Sequence, residues 1–244
     1  MKRVDSVISL IYSMSKAEKK AFSVQMLKDK EEKDYLVIYD IITKSKQLDS
    51  KNVKGEFHKR RPGGSFEVSI QYLYERLTDS LLTLRKKKDI YYDLLNNLCK
   101  ARMLYERSLF EECFEILSDT IEQATYYENN EVLTIALKLE LEYLLRLNFP
   151  NLAESELYHK HFMQNEALKK TRKIVEQSSL HNLLKYRLSH IGSIRTSKQK
   201  QDMNDLMVNE LSIAASSGIE GNFELMRNHR LFQANYLMGA GEYK

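Results

Sequence analysis

At 244 residues, with 30% charged residues, two prolines and eight glycines, the chain has the composition of a helix-rich protein long enough to bury a sizeable core. No apolar run approaches the ~20 residues needed to span a bilayer, and two cysteines are too few for a disulfide-stapled scaffold. The net charge of +4 is uneven: residues 1–90 carry 20 Lys/Arg against 13 Asp/Glu, and residues 91–244 carry 18 against 21, which divides the chain into an expected basic unit at 1–89 and a second unit at 90–244.

The opening MKRVDSVISLIYSMS has some look of a signal peptide, but Asp5 and serines interrupt it and no small-x-small cleavage site follows. Val4, Val7, Ile8 and Ile11 share one helical face instead, so it is expected to be the first helix of a cytoplasmic protein. Ser15-Lys-Ala-Glu18 has the form of a capping box for a helix to about Lys28. Glu31–Lys46 reads as a helix with Tyr35, Ile38, Tyr39 and Ile42 inward. Its β-branched run YLVIYDII would also suit a buried strand, but no second strand-like segment exists to pair with it. A shorter helix follows at about Asn52–Lys59. Arg61-Pro62-Gly63-Gly64 then stops any helix, because proline lacks an amide donor and glycine frees the backbone. Ser65 is placed to cap a helix to about Lys88, with Ile70, Leu73, Leu77, Leu81 and Leu84 on one face.

From Tyr91 the pattern is helix after helix, near 91–107, 110–127, 130–147, 151–167, 170–193, 201–217 and 221–240. Asn130 and Asn151 are the expected caps of the third and fourth, the latter with Glu154 three residues on. Residues 195–201 read as a longer polar loop. Cys99 and Cys113 both appear on apolar helical faces and are expected to be reduced core thiols.

The stretch Leu94–Glu128 carries the most specific pattern. Leu94, Leu98, Ala101 and Tyr105 recur at helical spacing, as do Phe110, Cys113, Leu117, Ile121 and Ala124. Small residues Ala101 and Cys113 stand twelve apart, where antiparallel helices would meet. With Ser108, Phe110 and Thr120 in the turn, aromatic and small positions, the stretch resembles a tetratricopeptide repeat. Ala234, Gly241 and Tyr243 repeat the spacing of Ala101, Ser108 and Phe110. The middle hairpins depart from the pattern, with bulky Leu141 opposite Ala153, and the expected hairpin is about 44 residues against ~34 in the standard unit. The resemblance implies an all-α fold, a right-handed α-α superhelix of elongated hairpins preceded by the small helical unit and cut off inside its last repeat. It also implies a concave groove carrying Leu98, Arg102 and Tyr105 in the first repeat and Leu231 and Asn235 in the last.

No catalytic constellation is evident. The six histidines are scattered, and His159 and His161, two apart on a helix, point in different directions. No HExxH, CxxC, phosphate-binding glycine loop or GxSxG is present. The expectation is therefore a non-catalytic scaffold with no cofactor and no metal, binding a protein or peptide partner, with no membrane contact. A homo-oligomer through the C-terminal helix is a further possibility, because an apolar face at Phe223, Leu231, Ala234, Leu237 and Met238 would lack its intended partner helix. The alternative is a regulator whose repeats sense a peptide. Its basic unit would contact nucleic acid or an effector through Lys59, Arg60 and Arg61 and through Arg85, Lys86, Lys87 and Lys88. Glu67, Glu75 and Asp79 on the intervening helix would repel phosphates and count against nucleic acid.

Overall fold

The computed structural model of the chain describes residues 2–26, 33–45, 49–85, 88–191, 196–217 and 222–240. Among the described residues there are eleven α-helices and no strand. They fall into two compact units, Met1–Asp93 and Leu94–Lys244.

The first unit holds α1 (Lys2–Ser13), α2 (Lys16–Met26), α3 (Asp34–Lys44), α4 (Ser50–Arg60) and α5 (Phe66–Arg85). The long α5 packs against each of the other four. Val4, Val7, Ile8 and Ile11 of α1 share one apolar core with Ile38 and Ile42 of α3, Phe57 of α4, and Ile70, Leu73 and Leu77 of α5. Each such side chain contributes about 1.5–3 kcal/mol by leaving water. The run YLVIYDII is helical, and Tyr35, Val37, Ile38, Tyr39, Ile41 and Ile42 are all buried. Burial from several sides, by α1, α4 and α5, explains why α3 lacks a clean polar face.

Local signals set the helix ends here. Ser15 N–H donates to Glu18 Oε2 at 2.7 Å, and Glu18 N–H donates back to Ser15 Oγ at 3.2 Å, which closes the capping box of α2. Asp49 caps α4 by accepting from Asn52 N–H at 2.8 Å. The Pro62-Gly63-Gly64 turn is tightly packed at its end. A Cβ on Gly64 would stand 2.8 Å from both Asp34 Oδ2 and Phe57 Cζ.

The second unit is built from α6 (Ile90–Glu106), α7 (Phe110–Tyr126), α8 (Asn130–Arg146), α9 (Glu154–Ile191), α10 (Ser197–Ser217) and α11 (Phe223–Ala240). The first three helices end in the same turn, repeated every twenty residues. Ser108, Glu128 and Asn148 take the left-handed conformation, with φ of 61°, 53° and 57°. The next amide in each case donates to the carbonyl five residues back: Leu109 to Leu104 at 3.0 Å, Asn129 to Ala124 at 2.8 Å, Phe149 to Leu144 at 2.8 Å. This is the Schellman ending, formed here without glycine.

Three expectations are corrected. Residues 151–167 and 170–193 are not two helices, because α9 runs unbroken for 38 residues, about 57 Å at 1.5 Å per residue. No proline or glycine interrupts it, and partners line its whole length: Lys160 meets Glu140 of α8, while Gln177 and Arg187 meet Glu210 and Asp205 of α10. With one helix fewer, Ala234 lies in the second helix of a pair rather than the first. It is exposed, whereas Ala101 is fully buried, so the two do not occupy equivalent positions; Gly241 and Tyr243 lie outside the described residues. The caps also shift. Asn129 rather than Asn130 caps α8, accepting from Val132 N–H at 3.1 Å, and Asn151 adopts φ 55° ahead of α9 instead of capping it.

Candidate functional site

The residues that the repeat resemblance assigns to a groove have different surroundings. On α6, Leu98 is buried, only 7% exposed, and belongs to the core face with Leu94 and Ala101, so it is corrected from groove to core. Tyr105 is half-buried, stacked on Tyr143 of α8 and tilted against Phe110 of α7. Its ring therefore joins three helices. Arg102 is exposed and pairs with Glu106 one turn on, at 3.2 Å. On α11, Leu231 is 44% exposed, while Asn235 donates to the Leu231 carbonyl at 2.6 Å and lies 3.1 Å from His181 Nε2 of α9. Phe223, Ala234, Leu237 and Met238 are exposed on that helix, and Leu225, Asn228 and Phe232 are buried.

The basic clusters are largely engaged. Lys59 pairs with Glu56 at 2.7 Å, Arg60 with Asp40 at 3.1 Å and Arg61 with Asp34 at 3.6 Å. Arg85 and Lys88 stand near Glu18, whose carboxyl is held below the usual range first by the Ser15 amide and hydroxyl and then by these two cations. Lys86 and Lys87 lie outside the described residues.

Of the two thiols, Cys113 is buried, and burial pushes its pKa up against a smaller opposing contact from the Tyr105 backbone. Cys99 is exposed, contrary to the sequence expectation. It follows Leu98 by one residue and so points about 100° away from the buried stripe. Among the described residues no group of three or more His, Cys, Asp or Glu is placed to hold a metal ion. None of the described helices is long and apolar enough to cross a membrane.

A concavity that the groove residues do not line lies along α7, α8 and α9. A pocket of about 500 Å³ is bounded by Ser118 and Ile121 of α7, Leu137 and Glu140 of α8, and Ser155, Glu156, His159, Lys160 and Met163 of α9. It shares Ser118, Ile121 and Met163 with a shallower hollow of about 900 Å³ that continues along α7 past Glu122 to Tyr126 and Tyr127. The two form one trough. At its far end the Tyr126 ring is 79% exposed and meets the Tyr127 ring edge-on, with centroids 4.9 Å apart. At its near end Glu140 is buried and accepts from Lys160 Nζ at 2.7 Å, while its Oε2 has no hydrogen-bond partner.

Sequence reasoning missed this trough, although one signal was present. Glu140 interrupts the stripe Leu133, Leu137, Leu144 at helical spacing, where only an apolar residue belongs. Tyr126 also falls outside the buried series Cys113, Leu117, Thr120 and Ala124.

A second buried polar group lies between α9, α10 and α11. Glu210 Oε1 is 2.6 Å from His229 Nδ1 and accepts from Gln177 Nε2 at 3.2 Å. Nearby, Asn228 donates to Ser178 Oγ at 3.2 Å. These contacts fix how the last two helices dock on α9, and they open onto no described pocket wall. Compared with protein families, curated proteins and solved structures, the chain finds no match.

Proposed function

We propose that the chain is a non-catalytic scaffold that binds a protein or peptide partner, with its second unit a tetratricopeptide-like solenoid. The observation that carries this reading is the trough along α7, α8 and α9, with the exposed ring pair Tyr126 and Tyr127 at its end. Exposed tyrosines supply large contact area at low conformational cost and are enriched where proteins meet. A trough whose floor is set by packed helices is pre-formed, so binding orders mainly the peptide. The turn repeated at 108, 128 and 148 supports a repeat architecture, at about forty residues per hairpin. Complete burial of Ala101 and Cys113 suits the small positions of the motif. The regulator alternative receives less support, because exposed Lys59 and Arg60 and half-buried Arg61 are each already paired with a carboxylate.

The test is a random nine-residue peptide library displayed on phage and selected on the full chain. Selected peptides should bind in calorimetry with micromolar Kd, about −8 kcal/mol. Tyr126→Ala with Tyr127→Ala should abolish that binding while leaving the melting temperature in place, since both rings are exposed. Failure to select any peptide, or binding indifferent to the double variant, would show the reading wrong.

A further inference from the structure

Glu140 is a buried carboxylate on a pocket wall. It occupies a core position of α8 between Leu137 and Leu144, and its side chain is 8% exposed. An ionised carboxylate has about four acceptor sites. Here Oε1 takes one donor, Lys160 Nζ, and Oε2 takes none. A buried oxygen without a donor is retained at a cost and calls for an explanation. Gln177 Oε1 and Glu210 Oε2 are in the same position, but neither residue lines the trough, whereas Glu140 is part of its wall.

The electrostatics indicate which ligand completes it. Asp119, Glu122 and Glu156 line the same trough, and Lys160 is the one lysine or arginine among the described lining residues. Its side chain is 25% exposed, so the ammonium can swing towards water while its stem stays packed. An arriving cation would then meet Glu140 with donors to spare, five N–H groups on a guanidinium or three on an ammonium. Tyr126 at the far end offers an open ring face to a second cation. The apolar stretches between, from Ile121, Leu152 and Met163, suit the aliphatic part of an extended chain.

We infer that the trough recognises an extended peptide rich in lysine or arginine, with one cationic side chain seated on Glu140. The inference rests on the scaffold reading above and adds the chemistry of the partner. It also makes the Glu140–Lys160 pair a self-occupied form of the site, in which Lys160 holds the place of the peptide's cation.

The phage-selected peptides provide the experiment, measured on the full chain by calorimetry. Selection should enrich lysine or arginine. Replacing the conserved cation of a selected peptide by norleucine should weaken binding at least tenfold. Glu140→Gln should weaken the cationic peptide by a similar factor and leave the norleucine version unaffected. Lys160→Met, which removes the competing ammonium, should tighten the cationic peptide. A purely structural ion pair would not move the two variants in opposite directions. If Glu140→Gln fails to fold by circular dichroism, Lys160→Met decides alone: tighter binding supports the inference and weaker or equal binding overturns it. Peptides that need Tyr126 and Tyr127 but show no preference for a cation overturn the inference and leave the scaffold reading standing. Selection of no peptide overturns both.

Discussion

Tyr105 of α6 lies flat on Tyr143 of α8, with ring centroids 3.7 Å apart and planes within 7°. Because Tyr105 also touches Phe110 of α7, one side chain holds the first helix of the second unit to the next two. Tyr105→Ala should therefore cost about 1–3 kcal/mol, less than a fully buried aromatic because the ring is half-open. Tyr105→Phe should cost much less, since the stacking surface remains. Thermal denaturation of the two variants checks this. If Tyr105 served only as a peptide contact, the alanine variant would melt with the parent protein.

The left-handed turns make a paired prediction. A non-glycine residue in that conformation carries about 1–2 kcal/mol of steric cost, which glycine relieves. Ser108 has φ 61°, and Ser108→Gly should raise stability by roughly 0.5–1 kcal/mol. Glu128 has φ 53° but its carboxylate accepts from Phe223 N–H at 2.9 Å, at the amino end of α11. Glu128→Gly loses that helix-end contact, worth about 0.5–2 kcal/mol. Its gain should therefore be smaller than that of Ser108→Gly, or negative. Denaturant midpoints measured side by side distinguish the two.

Gly64→Ala tests the packing of the first unit. The added methyl would stand 2.8 Å from Phe57 Cζ and from Asp34 Oδ2, and Phe57 is fully buried. A loss of about 1–3 kcal/mol is expected from overpacking. Gly63 has open space at the same point and Gly63→Ala should be nearly neutral in the same melting experiment.

The capping box of α2 has a pH signature. The Glu18 carboxylate accepts from the Ser15 amide, so its carboxyl titrates below the usual range in the folded protein. A lowered folded pKa stabilises above the unfolded value and loses that contribution as pH falls through the folded one. Proton-resonance titration of Glu18 should show the depressed midpoint. Ser15→Ala should raise it part of the way, because the backbone donor remains when the hydroxyl is gone.

These particulars separate what was legible in the chain from what was not. The helices of the first unit, the capping box at Ser15 and Glu18, the break at Pro62 to Gly64 and the short turns at Arg107–Leu109 and Tyr127–Asn129 could be read directly. Each depends on residues within a few positions of one another, where sterics and hydrogen-bond supply act locally. The apolar surface on α11 at Phe223, Leu231 and Leu237 was legible for the same reason, as a helical stripe. The continuity of α9 was not. Its sides are covered by α8 at one end and by α10 and α11 at the other, and over its full length its apolar residues show almost no one-sided bias that would mark it as a single helix. Nor did the sequence distinguish Leu98 in the core from Arg102 at the surface as groove residues, or show that Tyr105 would be taken up by Tyr143. Which side of a helix meets a neighbour depends on partners outside any local window, as Tyr143 lies 38 residues beyond Tyr105. Only packed helices could place the trough of Glu140, Lys160 and Tyr126, whose members come from three helices that share no local pattern.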